Sequence, residues 1–190
     1  MKALFNFSSL EINQDKNLIE VNNPPEICCE TLAEIIAAVE PLNVIAFNTK
    51  GKFSLYNIVD NIVEKLGGKS EISFTTFGLS EPAIRKLANM KFKGQLTALN
   101  CVLDYRIQQR QPKAFKLISS IANRIGYNES HAKITVIENN KFNLVIVGSQ
   151  NWTRNTKHEA GVILCIAPVA EFYKNYILQQ INDSRKPKGS

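Results

Sequence analysis

His131-Ala132-Lys133-Ile134-Thr135-Val136-Ile137-Glu138-Asn139-Asn140-Lys141-Phe142-Asn143-Leu144-Val145-Ile146-Val147-Gly148-Ser149-Gln150-Asn151 sets the topology expected for the rest of the chain. Two apolar runs rich in β-branched residues, His131–Ile137 and Phe142–Val147, flank the polar tetrapeptide Glu138-Asn139-Asn140-Lys141. That pattern predicts an antiparallel hairpin. Side chains alternate along a strand, so His131 and Lys133 face the same way. Closing the hairpin returns Gly148, Ser149 and Asn151 to the side of His131.

Outward from the hairpin, strands and helices alternate. Upstream, Asn43–Asn48, Glu71–Phe77 and Gln95–Leu103 read as strands. Helical spacing is seen over Glu30–Glu40, Ser54–Leu66, Ser80–Met90 and Pro112–Asn123. Ser80 is an N-cap candidate with Pro82 in the first turn, and Gly67-Gly68 ends the helix before it. Downstream, Ala160–Ile166 is a strand and Val169–Ile181 an amphipathic helix. Short strands are expected at Ala3–Phe7 and Leu18–Val21. The fold class is therefore α/β, a mixed β-sheet flanked by helices. No internal repeat is visible. We read residues 1–40 as an acidic N-terminal extension, 41–182 as one domain and 183–190 as a basic tail.

Charge is distributed unevenly. The chain has 190 residues, 23 Lys and Arg, and 17 Asp and Glu, for a net +6. Residues 1–40 hold two basic and seven acidic groups, whereas residues 41–190 hold 21 basic and ten acidic. The body alone thus carries +11, which favours a polyanionic partner. No apolar run is long enough to span a membrane, and residues 1–6 lack a signal-peptide pattern. The four cysteines, Cys28, Cys29, Cys101 and Cys165, show no CxxC spacing. Reduced thiols and a cytoplasmic location are expected.

Only two histidines are present, His131 and His158. The hairpin gathers an imidazole, an ammonium, a hydroxyl and a carboxamide at one end, and Glu159 follows eight residues after Asn151. Neutral imidazole is a nucleophile near pH 7. Lys and Asn donors stabilise the oxyanions of five-coordinate phosphorus. A carboxylate orients a histidine and stabilises its charged form. No Asp/Glu cluster suited to magnesium is apparent, so the expected chemistry uses neither metal nor other cofactor.

These residues resemble the signature of the phospholipase D superfamily, HxKxxxxDxxxxxxG(G/S) with Asn two residues after the Ser. Here it stands as His131, Lys133, Glu138, Gly148, Ser149 and Asn151. Glu138 occupies the family's Asp position, and nine residues separate it from Gly148 instead of six. The order of elements over roughly residues 43–180 also resembles a phospholipase D-like domain. The resemblance implies that His131 attacks phosphorus and forms a phosphohistidine. Lys133 and Asn151 would hold the phosphate oxygens, Ser149 and Glu138 would support them, and Glu159 would orient a histidine. Family sites use two facing motifs, and this chain carries one. The resemblance therefore implies a homodimer that shares one site, like small single-motif bacterial nucleases.

The function expected is a metal-independent phosphodiesterase acting on nucleic acid, DNA or RNA, away from membranes. Arg154, Lys157 and Trp152 are candidate substrate contacts, the first two for phosphates; for Trp152, stacking on a base competes with the commoner role of an indole in the core or an interface. Two alternatives remain: an inactive phospholipase D-like nucleic-acid-binding module, and a lipid phosphodiesterase.

Overall fold

The computed structural model describes residues 26–184. The expected strands at Ala3–Phe7 and Leu18–Val21, and the tail from Arg185 onward, lie outside the described residues. In chain order the elements are β1 (Glu26–Cys29), α1 (Leu32–Ala38), β2 (Val44–Asn48), α2 (Leu55–Lys65) and β3 (Ser70–Thr76). Then come α3 (Glu81–Phe92), β4 (Leu96–Asp104), α4 (Ile107–Arg110), α5 (Pro112–Ile121) and β5 (Arg124–Asn128). The chain continues through β6 (Ile134–Glu138), β7 (Asn143–Gly148), β8 (Ala160–Leu164) and α6 (Ala167–Asn182).

The eight strands form one mixed sheet in the order β1-β2-β8-β7-β6-β3-β4-β5. β3, β4 and β5 are parallel, as are β1 and β2. β6, β7 and β8 run antiparallel to their neighbours. The expected β6–β7 hairpin forms, but it closes around residues 139–142, one residue later than the expected turn, because Glu138 still pairs with Asn143. Alternation along these strands sorts their side chains into two layers. Ile137 and Leu144 join the core under α1, α2, α3 and α5, whereas Val136 and Val145 pack with Ala170 and Ile177 of α6. The sheet is therefore covered on both faces.

Residues 26–40, whose packing the sequence leaves open, are integral to the sheet and core. β1 pairs in parallel with β2, and Ile35 and Val39 are buried in the main core. Thr31 and Glu34 close a capping box that starts α1.

Sheet polarity positions everything that follows. At one end lie the C-termini of β2, β3, β4 and β7 and the N-termini of β6 and β8. At the other end Glu71 of β3 sits directly opposite Glu138 of β6. Like charges so placed repel. Lys174 of α6 offsets this, with Nζ 2.7 Å from Glu138 Oε2 and 3.5 Å from Glu71 Oε1. Burial lowers the Lys174 pKa, but Glu138 and then Glu71 outweigh it and raise it overall. Glu138 thus anchors α6 to the far end of the sheet. Its expected support of the histidine end is not what the structure shows, because a strand length separates the two.

Candidate active site

His131 precedes β6 and does not belong to it. The ladder stops at Ile134 because the Thr75 hydroxyl takes over the neighbouring backbone groups. It donates to Ala132 O (2.9 Å) and accepts from Ile134 N (3.2 Å). The released segment is exposed at His131 and half-buried at Lys133. The Lys133 ammonium donates back to His131 O at 2.8 Å. The imidazole lies against the Phe77 ring, with centroids 4.2 Å apart and planes tilted by 36°.

Asn151 is locked from the neighbouring strand. Phe77 N–H donates to Asn151 Oδ1 at 3.1 Å, and the Thr76 hydroxyl lies 3.2 Å from the same oxygen. With its oxygen engaged, the amide keeps its Nδ2 donors for another acceptor. Phe77 therefore links the two segments, touching His131 with its ring and Asn151 with its backbone.

Glu159 is held from both sides. Ser149 Oγ donates to Glu159 Oε2, and Asn155 Nδ2 donates to Oε1. Its backbone is tied to Thr49, with Thr49 N donating to Glu159 O at 2.9 Å and Glu159 N donating to Thr49 Oγ1 at 3.2 Å. Gly51 makes this approach possible. Its φ is +71°, and a Cβ there would lie 2.2 Å from Thr156 O. Ser149 N also donates to Ala160 O at 3.0 Å, which continues the β7–β8 pairing into the site.

Five expected residues, His131, Lys133, Ser149, Asn151 and Glu159, thus meet at one end of the sheet. Arg154 and Lys157 are exposed on the loop between Asn151 and Glu159, where each is fixed through its backbone. Arg154 N donates to Ser80 Oγ (3.1 Å) and Lys157 N to Asn155 Oδ1 (2.9 Å). Trp152 corrects the base-stacking reading. It is 1% exposed, packs on Phe74 with centroids 4.7 Å apart, and donates from Nε1 to Thr135 Oγ1 at 3.2 Å. Sequence reasoning missed Phe77, Thr49 and Asn155, whose contacts arise from pairings between distant segments and leave no local spacing signal. Among the described residues, no three His, Cys, Asp or Glu side chains cluster as a metal site.

No family model and no curated protein matches the sequence. Solved structures do match. Nuc from Salmonella typhimurium, a phospholipase D family member, superposes with a TM-score of 0.57 at 19% identity. The match covers 75% of this chain and 96% of that one. The chain therefore has a fold like that of Nuc. NucT from Helicobacter pylori matches 61% of this chain and 81% of its own length, with a TM-score of 0.50 and 12% identity. TrmBL2, an archaeal chromatin protein described as showing a novel mode of DNA binding, has a TM-score of 0.55 at 12% identity. That match spans 78% of this chain and 54% of TrmBL2. In this phospholipase D-like fold, the quoted signature falls where β6 and β7 meet, and its His, Lys, Ser and Asn share one sheet end. Among the described residues no helix is long and apolar enough to cross a membrane.

Proposed function

We propose that the chain is a metal-independent phosphodiesterase of phospholipase D type that cleaves nucleic acid as a homodimer. The observation that carries this reading is the convergence of His131, Lys133, Asn151 and the clamped Glu159 from separate segments on one end of the sheet. A ring nitrogen of one His131 attacks phosphorus, forming a P–N bond while the P–O bond to the leaving group breaks. The partner's His131 gives its proton to the leaving oxygen. That second imidazole, now neutral, takes a proton from water. The water oxygen bonds to phosphorus as the P–N bond breaks and the first histidine is restored. Lys133 and Asn151 donate to the equatorial oxygens, where charge develops. Glu159, fixed by Ser149 and Asn155, orients the facing histidine of the other protomer.

The basic body, the Nuc and NucT likeness and the DNA-binding TrmBL2 neighbour support nucleic acid as substrate. The test is cleavage of DNA and RNA in excess EDTA by the intact chain and by His131→Ala. Cleavage that persists in EDTA and disappears in the variant is expected. Salt-sensitive binding without cleavage of either polymer would identify a binding module instead. Headgroup release from phospholipid vesicles would identify a lipid phosphodiesterase.

A further inference from the structure

A second cluster borders His131 at the same sheet end. β4 finishes at Asp104, whose side chain is fully buried. Arg106 grips it with two prongs, Nε to Oδ1 at 2.9 Å and Nη2 to Oδ2 at 2.8 Å. Arg110 Nη2 reaches Oδ1 at 3.0 Å and the Phe77 carbonyl at 3.1 Å. Two cations therefore share the Asp104 carboxylate, and the charge of Glu129 also reaches Arg106. Both guanidinium groups lie over the Phe77 ring, Arg110 at 4.2 Å from its centroid and Arg106 at 5.2 Å. The same ring stacks on His131.

A guanidinium carries five N–H donors in a rigid fork suited to phosphate. Among the described residues, Nη1 of both arginines and Nε of Arg110 donate to no protein acceptor. Both side chains are partly exposed, at 37% and 40%. Asp104 has already restricted their rotamers, so binding an anion costs little further ordering. An arginine pair one aromatic ring away from the attacking imidazole suits a ligand with phosphates in series.

We propose that Arg106 and Arg110 form a subsite for the phosphate adjacent to the scissile one on a nucleic-acid strand. The inference rests on the phosphodiesterase reading for the word scissile, but its test needs no turnover. The full-length chain carrying His131→Ala is titrated with fluorescein-labelled twelve-residue DNA and RNA oligonucleotides, read by anisotropy at several salt concentrations. Added singly, Arg106→Gln and Arg110→Gln each weaken binding about tenfold and lower the salt slope by about one. A purely structural role would not change that slope. One arginine is left in each variant because removing both strands a buried carboxylate. If either glutamine variant fails to fold, as judged by its melt, Arg106→Lys and Arg110→Lys decide, with a smaller loss of affinity expected because the charge stays and the fork goes. Weakening for only one polymer identifies that polymer as the ligand. Unchanged affinity and slope in folded variants overturn the proposal, as does a parent that binds neither oligonucleotide. Failure of catalysis alone leaves the binding result standing and removes only the phosphodiesterase reading.

Discussion

Trp152 lies between Asn151 and Arg154, both candidate ligand contacts, yet its own side chain points inward. Asn151 is pinned to Phe77 N–H, and Trp152 N–H donates to the Thr76 hydroxyl at 3.2 Å, so consecutive residues must face opposite ways. Trp152→Phe should therefore act on stability alone. It leaves the Thr135 hydroxyl buried without its indole partner and removes ring volume, costing about 2–3 kcal/mol. Chemical denaturation measures this loss, and oligonucleotide affinity should stay at the parent value. A large affinity loss at unchanged stability would restore the stacking role. Asp104 offers a second test at this scale. Burial pushes its carboxyl up, but the Arg106 hydrogen bonds and the charges of Arg106 and Arg110 outweigh burial and hold it below the ordinary range. A folded value below the unfolded one, about 3.9, means the stabilisation is present above that pH and fades as pH falls through the folded value. The melting-temperature gap between the parent and Asp104→Asn should be constant above about pH 5 and shrink as pH falls below about 4. A gap unchanged down to pH 2 would refute the assignment. That His131 and Lys133 come together at this sheet end was legible in sequence because their spacing is local. Phe77, Arg106 and Arg110 were not, because strand pairing between β3 and β4 brings them to the histidine.

The site is assembled by strand contacts, and the tightest of them is the β7–β8 crossing. Gly148 pairs with Gly161 across it. A Cβ on Gly148 would lie 2.6 Å from Ala160 O, and one on Gly161 would lie 2.7 Å from Phe47 Cζ. This approach puts Ser149 within reach of Glu159. Gly161→Ala should cost about 1–3 kcal/mol by overpacking. It should also slow phosphodiester cleavage more than it weakens substrate binding, since Ser149 and Glu159 are forced apart. Equal stability would show that the neighbouring backbone yields freely. At the opposite end, Lys174→Met leaves Glu71 and Glu138 facing each other. A loss of about 1–3 kcal/mol is expected in denaturant titrations at neutral pH, discounted because these groups are partly exposed. Element boundaries were legible where apolar periodicity was long, as in α2 and α6. β1 and β5 escaped notice. Glu-Ile-Cys-Cys and Arg-Ile-Gly-Tyr-Asn are only four and five residues long, too short for a pattern of period two to stand out. Their state is fixed by pairing at the sheet edges. The expected start of β6 at His131 failed for a different reason. The Thr75 side chain replaces ladder bonds there, and no local propensity encodes a partner 59 residues away.

At the scale of the molecule, one 190-residue chain presents one histidine, one lysine and one asparagine of the matched signature, all at one sheet end. The two-step reaction proposed above needs two imidazoles, one bonded to phosphorus and one moving protons. One chain supplies only one, since His158 lies exposed on the loop before Glu159 and has no lysine two places on. In the proposed dimer, the excess of basic residues in 41–190 would set two such bodies against each other. An anionic strand crossing both subunits would offset that repulsion, so affinity for substrate and for a second copy should reinforce each other. Subunit mixing tests the shared site directly. Parent and His131→Ala chains are co-refolded in equal amounts, which gives parent, mixed and variant dimers near 1:2:1 for a two-fold assembly. If both histidines act in one site, only the parent dimers turn over, and the rate falls to about a quarter of the all-parent control. If each chain works alone, the rate falls only to about half. A rate of one half, at a chain concentration where light scattering shows dimers, would sink the shared-site mechanism and leave the single His131 to perform both steps.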